Sequence, residues 1–342
     1  LVTWLERLAS AVRFVRALSG AKELCDSVVE RADRAGALGE QVRARVASGQ
    51  VLAAVNQIAA ARARLSEARA IGLADPRLVR PVLLAEVELA ARQGDFRRAL
   101  VVLGEIRTVA HASGDADEEH RIALHAAQSH AAIGDRDTAL ARLDEAGRLL
   151  PHDPMAALER ARARALVDYF TRDFRSAVQR CEEATQLARE MGLAHEAMLN
   201  LHNLGHILVY MEDPPRAYGA IQQSLALCGE PGDERFANYN RMLLAFLDGI
   251  KETVDGEKLL RQGIAYAEGK EFTWDAVGGR RLLAKLLRRL GQRGAARDEY
   301  EKARDLAVLA GHRLVADDCE KALDDLGRGE SALARVRNDS AC

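Results

Sequence analysis

A small residue that follows a turn signal and opens a second apolar helical stripe recurs along this 342-residue chain. The anchors are Ala21, Ala61, Ala99, Ala139, Ala177, Ala217, Glu257 and Ala296, and Glu257 alone breaks the small-residue rule. Successive anchors lie 40, 38, 40, 38, 40, 40 and 39 positions apart. Self-similarity at a period of roughly 20–50 residues marks a stacked-repeat protein. Each repeat then packs only on its neighbours, so length is not bounded by a single growing core. Such an architecture offers a long concave surface to a partner and supplies no catalytic constellation of its own.

Around every anchor one helix with 3.6-residue apolar spacing runs to a turn, and a second helix buries its own stripe. The turns inside the repeats read Gly94-Asp95-Phe96, Gly134-Asp135-Arg136, Arg172-Asp173-Phe174, Glu212-Asp213-Pro214-Pro215 and Gly291-Gln292-Arg293. Glycine suits the left-handed end of a helix, and aspartate caps the next helix start. Between repeats stand Ser113-Gly114-Asp115, Pro151-His152-Asp153-Pro154 and Gly311-His312. No region alternates as a strand would. The chain is therefore expected to be all-α, with about eight helical hairpins over residues 1–326. A tail over 327–342 loses the period and is expected to be frayed or disordered.

The net charge of −2 gives no bulk field for nucleic acid or acidic membrane. Five cysteines, Cys25, Cys181, Cys228, Cys319 and Cys342, are scattered and never form a C-x-x-C pair. That usage points to a reducing, cytoplasmic setting. No apolar run is long enough to span a membrane, and no signal peptide opens the chain. Basic residues are overwhelmingly arginine, which with the alanine richness suggests a GC-rich bacterial source. The chain starts at Leu1, directly inside a repeat, and reads as a fragment of a longer protein.

The repeats resemble tetratricopeptide (TPR) repeats of a long, about 40-residue type. That family places a small residue eight positions into each first helix, here Ala9, Gly49, Ala127, Ala165, Gly205, Ala245 and Ala284, with Val87 departing. A bulky and then a smaller residue follow five of the anchors by four and seven positions, as Leu65 with Ala68, Leu103 with Ile106, Leu143 with Ala146, Ile221 with Ser224 and Tyr300 with Ala303. Glu257 and Arg261 depart from this pattern, and repeat seven admits a register slip of one residue. The resemblance implies a right-handed superhelix. It extends to the TPR regions of bacterial Ser/Thr kinases and of maltose-activator-type regulators. No kinase motif lies in the chain itself.

Catalytic constellations are weak. His195, His202 and His206 include an i, i+4 pair, but the string HNLGH lacks the glutamate of H-E-x-x-H. Gly278-Gly279 follows no strand and lacks the P-loop lysine. The basic run Arg280 to Arg297 carries no interleaved aromatics and is soon followed by acids, which argues against nucleic acid. The chain is thus expected to be non-catalytic, with no cofactor and no metal.

Projecting the family's inner-face positions onto the first helices gives Arg43, Gln50, Glu88, Arg121 and Gln128 in repeats two to four. Repeat five gives Glu159, Arg162, Leu166, Tyr169 and Phe170; repeat six gives Leu199, His202, His206, Val209 and Tyr210, beside Asn203. Repeats seven and eight give Tyr239, Met242, Phe246, Ile250, Arg281, Lys285, Arg288 and Arg289. Aromatics are only 4% of the chain, so their gathering in repeats five to eight marks an expected peptide groove. The expected site is Arg162, Tyr169, His202, Asn203, His206, Tyr210, Tyr239, Met242, Phe246, Arg281, Lys285 and Arg288. Phe170, Tyr210 and Ile250 also suit inter-repeat core. Asn203 resembles the TPR asparagine that bonds a peptide main chain or bridges neighbouring repeats. The partner expected is a protein or peptide, acidic or carboxylate-bearing, with no nucleic acid, no membrane and a weak homodimer through repeat one. The reading is a scaffold in a larger signalling protein, kinase- or ATPase-linked; the alternative is a small-molecule sensor in a transcription regulator.

Overall fold

The spacing of capping residues sets the helices. Asp75, Asp95, Asp135, Asp153, Asp173, Asp213 and Asp255 each stand just before a helix, and each carboxylate accepts a hydrogen bond from a backbone N–H of the following first turn. These bonds satisfy donors that a helix start leaves open. The carboxyls of Asp135 and Asp173 are lowered chiefly by their bonds to Thr138 and Ser176.

A computed structural model describes residues 21–55, 57–73, 75–109, 116–229, 233–251 and 255–339. Ala9, the Ser113-Gly114-Asp115 loop, Cys342 and the first helix of repeat one, on which the expected homodimer rests, lie outside the described residues. Among those described, sixteen helices follow one another without a strand. They are α1 Ala21–Ala35, α2 Leu38–Ala54, α3 Ile58–Gly72, α4 Pro76–Gln93, α5 Phe96–Thr108, α6 Ala116–Ala132, α7 Arg136–Leu149 and α8 Pro154–Phe170. The second half comprises α9 Phe174–Glu190, α10 Ala194–Tyr210, α11 Pro214–Leu227, α12 Glu234–Ile250, α13 Gly256–Gly269, α14 Thr273–Arg289, α15 Arg293–Ala310 and α16 Arg313–Asp339. Even-numbered helices up to α14 are the first helices of repeats two to eight, and each pairs with the odd-numbered helix after it. The final helix α16 covers α15 and continues past Gly327, where the sequence period is lost.

The anchors do what their size requires. Ala61, Ala99, Ala139, Ala177, Ala217 and Ala296 are fully buried where paired helices meet. At Gly205 even a Cβ would come within 2.6 Å of Ile221, and at Gly49 within 2.8 Å of Leu65. Repeat seven carries the slip. Its small buried residue is Gly256, packed against Gly249 and the Ala245 carbonyl, and Glu257 is only half-buried. Counting from Gly256 restores the bulky residue at Leu260 and the small one at Gly263, both buried. The irregularity is thus one of register.

The period also reappears as a ladder of polar contacts between repeats. Gln50 donates to Glu88 at 3.1 Å, Arg80 to Glu118 at 2.6 Å and Arg235 to both Asp275 oxygens at 2.8 and 2.9 Å. Arg162 bonds Glu196, and Arg281 bonds Asp318 at 3.1 Å. A buried guanidinium is costly unless an acid faces it, and each of these partners lies one repeat away.

The superhelix then closes on itself. Helix α15 packs against α5, from repeats eight and three. Gly94, at φ 75° in the α4–α5 turn, lies directly against the Trp274 backbone at the start of α14. Gly311 approaches Arg97 in the same way. Phe96 meets His312 with ring centroids 5.0 Å apart and Phe170 at 5.5 Å, and Trp274 meets Phe170 at 5.4 Å. Arg62 pairs with Glu271 at 2.5 Å and Arg172 with Asp318 across the same seam.

Candidate ligand-binding groove

Closing the turn changes which inner-face residues stay accessible. Tyr169, His202, His206, Tyr239, Met242, Phe246 and Arg281, all expected to line the groove, are buried in the packed core. The expectation fails for a physical reason: the inner faces of α8, α10, α12 and α14 converge behind the seam, where large side chains fill the superhelix axis. Tyr169 sits within 5.3 Å of the His206 ring, 6.2 Å of Tyr210 and 6.1 Å of Trp274. Tyr239 is fully buried, and Met242 and Phe246 belong to the same cluster. Tyr210 is half-buried against it, as the inter-repeat reading of that residue anticipated.

The arginines have an equivalent explanation. Those expected to hold a partner's carboxylate already hold this chain's own. Arg162 is bonded to Glu196, and Arg281 to Asp318. Lys285 and Arg281 lie over the Tyr210 ring, at 4.3 and 4.8 Å from its centroid. Arg288 is exposed. The histidines do not converge either: His202 Nδ1 lies 2.8 Å from Asn240 Oδ1, and His206 stacks between Tyr210 and Tyr239. Burial pushes both imidazoles down from their ordinary pKa; for His206, His202, Arg281 and Lys285 push the same way. Among the described residues no group of three or more His, Cys, Asp and Glu is placed to hold a metal.

An open concavity of about 350 Å³ does exist, displaced toward the start of the chain. Its wall runs diagonally over six successive first helices, from the C-terminal halves of α2 and α4, across α6 and the middle of α8 and α10, to the first turn of α12. Space is left because repeats two and three carry alanine where repeat five carries Tyr169: Ala53 and Ala91, with Ala54 beside them. Of the expected residues only Arg162 and Asn203 line it. Asn203 is half-buried and makes no hydrogen bond within the chain among the described residues. The bridging role expected of it falls to Asn240, which joins His202 to Ser224.

The groove is polar and internally balanced. Gln50, Glu88 and Arg121 form a chain across three repeats, with Arg121 Nη1 2.8 Å from Glu88 Oε1. Burial works against the Arg121 charge, but Glu88 and Asp117 more than offset it and raise its pKa. At the other end Arg235 lies over Phe236 and Phe272, and donates to the Arg92 carbonyl across the seam. Arg92, itself on the wall, reaches back to the Ala54 carbonyl at 3.1 Å. Leu89, Leu124, Leu166 and Leu199 supply apolar surface between these groups. The wall residues Arg92, His125, His195, Glu196, Arg235 and Phe236 were outside the sequence expectation. The signal that could have found them is the alanine at the inner-face positions of repeats two and three, Ala53, Ala54 and Ala91, which border the concavity.

No family model matches the chain, and no curated protein matches it at a significant level. Solved structures do resemble it. A Rap protein complexed with competence and sporulation factor is 12% identical, covers 91% of this chain and 98% of its own, and has a TM-score of 0.57. A chain of the APC/C hetero-tetramer is 17% identical over 84% of this chain, with a TM-score of 0.53. A STAND ATPase with a tetratricopeptide repeat sensor from Pyrococcus horikoshii is 15% identical over 93% of this chain, with a TM-score of 0.48. This chain spans 48% of the second and 55% of the third. At such identities the likeness speaks for fold alone, and it agrees with the repeat pattern, the hairpin order and the buried anchors: the chain folds as a TPR-like helical solenoid.

Proposed function

We propose that the chain is a non-catalytic binding and regulatory scaffold that holds a protein or peptide segment in the groove over repeats two to seven. The observation that carries this reading is the concavity itself, walled by six consecutive first helices and lined by alternating amides, charges and leucines. Backbone groups of an extended segment would find donors and acceptors in Gln50, Gln128 and Asn203, with apolar side chains against Leu124, Leu166 and Leu199. Acidic character in the partner loses weight, because four wall arginines face acids or carbonyls of the chain. The Rap structure, solved with a factor bound, adds weight to a bound ligand in this fold. A place in a larger bacterial, cytoplasmic signalling protein is part of the same proposal. No helix among the described residues is long and apolar enough to cross a membrane.

Fluorescence polarisation against a peptide library tests it, with Gln128→Trp as the blocking variant, since Gln128 is half-buried on the wall and outside the core. Binding should fall at least about tenfold, the equivalent of ~1.4 kcal/mol. Peptide binding that survives the tryptophan would remove the groove. The limited volume favours a second reading, a small-molecule sensor. Stabilisation by a metabolite, lost in the same variant, with no peptide bound, would replace the first reading by the second.

A further inference from the structure

A second polar cluster lies beyond the aromatic core and takes no part in the groove. Arg281, Lys285 and Arg289 follow at successive turns of α14, and Arg172 reaches the same place from the α8–α9 turn. Asp318 of α16 accepts from both Arg281 and Arg172, and Glu212 lies 3.8 Å from Arg289. Among the described residues the ion pairs of these four cations are with these two carboxylates, and the exposed Arg288 adds a further positive charge. The imbalance stands out in a chain whose net charge is −2.

Two groups in the cluster are incompletely satisfied. Lys285 makes no ion pair among the described residues, and its ammonium rests only on the Tyr210 ring at 4.3 Å. The Tyr210 hydroxyl is buried and finds no hydrogen-bond partner among the described residues. Burial, and then the neighbouring Arg281, push the Lys285 amine down to about 8. Glu212 and Asp318 oppose that shift without cancelling it, and Arg289 adds to it. Arg172 and Arg289 are about half exposed, so the cluster opens to solvent.

We propose that Lys285, Arg288, Arg289 and Arg172 form a second binding site, specific for an oxyanion: a phosphoryl or carboxylate group. Arginines in a fork geometry suit either group, and an anion here would neutralise charge that the chain leaves uncompensated. Arg281 serves as a positioning residue that ties the cluster to α16 through Asp318. The site stands independently of the groove reading, since no residue is shared.

The test is carbon-13 dimethylation of the lysines followed by NMR titration, with the Lys285 signal assigned by its absence in Lys285→Arg. Inorganic phosphate, glutarate and chloride at equal ionic strength are compared. Phosphate or glutarate should raise the Lys285 midpoint by about one pH unit, the size of shift a close opposite charge produces. The double variant Arg288→Gln/Arg289→Gln should weaken that response about tenfold, while Gln128→Trp leaves it intact. The two anions separate a phosphoryl preference from a carboxylate one. A midpoint that moves no more in either than in chloride overturns the site, and so does a response that the arginine variants leave unchanged.

Discussion

Closure of the superhelix makes one glycine carry far more than its turn. Gly94 sits at φ 75°, where an L side chain costs about 1–2 kcal/mol. A Cβ there would also lie 2.5 Å from Trp274 Cβ and 3.1 Å from its backbone nitrogen, a helix N-terminus with little freedom to retreat. Relieving that overlap means parting repeats three and eight. The edge-on pairs Phe96–His312 and Phe170–Trp274 would then open, at about 0.5–1.5 kcal/mol each. Gly94→Ala should therefore destabilise by about 3 kcal/mol. Gly192 supplies the control: its φ is 70°, and nothing lies within 4 Å of a Cβ there. Gly192→Ala should cost only the backbone share, about 1–2 kcal/mol. Urea midpoints of the two variants give the difference, and small-angle scattering should show the Gly94→Ala chain extended. Equal midpoints and an unchanged scattering profile would refute the clasp.

Two further outcomes follow from burial. His312 is fully buried, and burial pushes its imidazole down to about 3. Its folded pKa is thus below the unfolded value of about 6.5, so the stability it permits is complete above that pH and is lost as pH falls toward 3. Between pH 6.5 and pH 5 the loss should be about 2 kcal/mol for this one histidine, read as the difference in urea midpoints between wild type and His312→Phe; parallel pH profiles would contradict it. The thiols of Cys181 and Cys319 are buried and pushed up to about 12 and about 11, mainly by desolvation. Iodoacetamide at pH 8 should leave both unmodified in the native protein and alkylate both in urea, as followed by peptide mass spectrometry. Rapid native labelling of Cys181 would show the repeat five core to be open.

Repeat number, hairpin order and helix caps are legible in the sequence because they depend on contacts within one period. Ala61 or Asp95 acts on residues a few turns away, and the same need recurs in every repeat. Even the register slip at Gly256 leaves its trace in the mismatch of Glu257. The inner-face projection named Gln50, Glu88, Arg121, Gln128, Glu159, Leu166 and Leu199, which line the groove, but of the expected site itself only Arg162 and Asn203 do. What hid the rest is a contact between repeats three and eight, which nothing in a local pattern announces. Once α5 and α15 meet, Tyr169 and His206 pass from a wall to a core, although their helical positions are unchanged. Aromatic enrichment on an inner face therefore signalled filled space, and the alanines of repeats two and three signalled the cavity.

The inner-face positions near the ends of the first helices change character in order. They are Ala53 and Ala54 in repeat two, Ala91 and Arg92 in repeat three, Tyr169 and Phe170 in repeat five, and Arg288 and Arg289 in repeat eight. One repeat plan thus yields an empty segment, a plug and a basic end. Packed aromatic interiors resist graded deformation, so the plug separates the groove from the basic cluster. A ligand in one can influence the other only by disturbing the seam. Arg235 is the residue positioned to do that: it lines the groove, fastens Asp275 of repeat eight and donates to the Arg92 carbonyl of repeat three. A ligand that draws its guanidinium away must break a contact of the clasp.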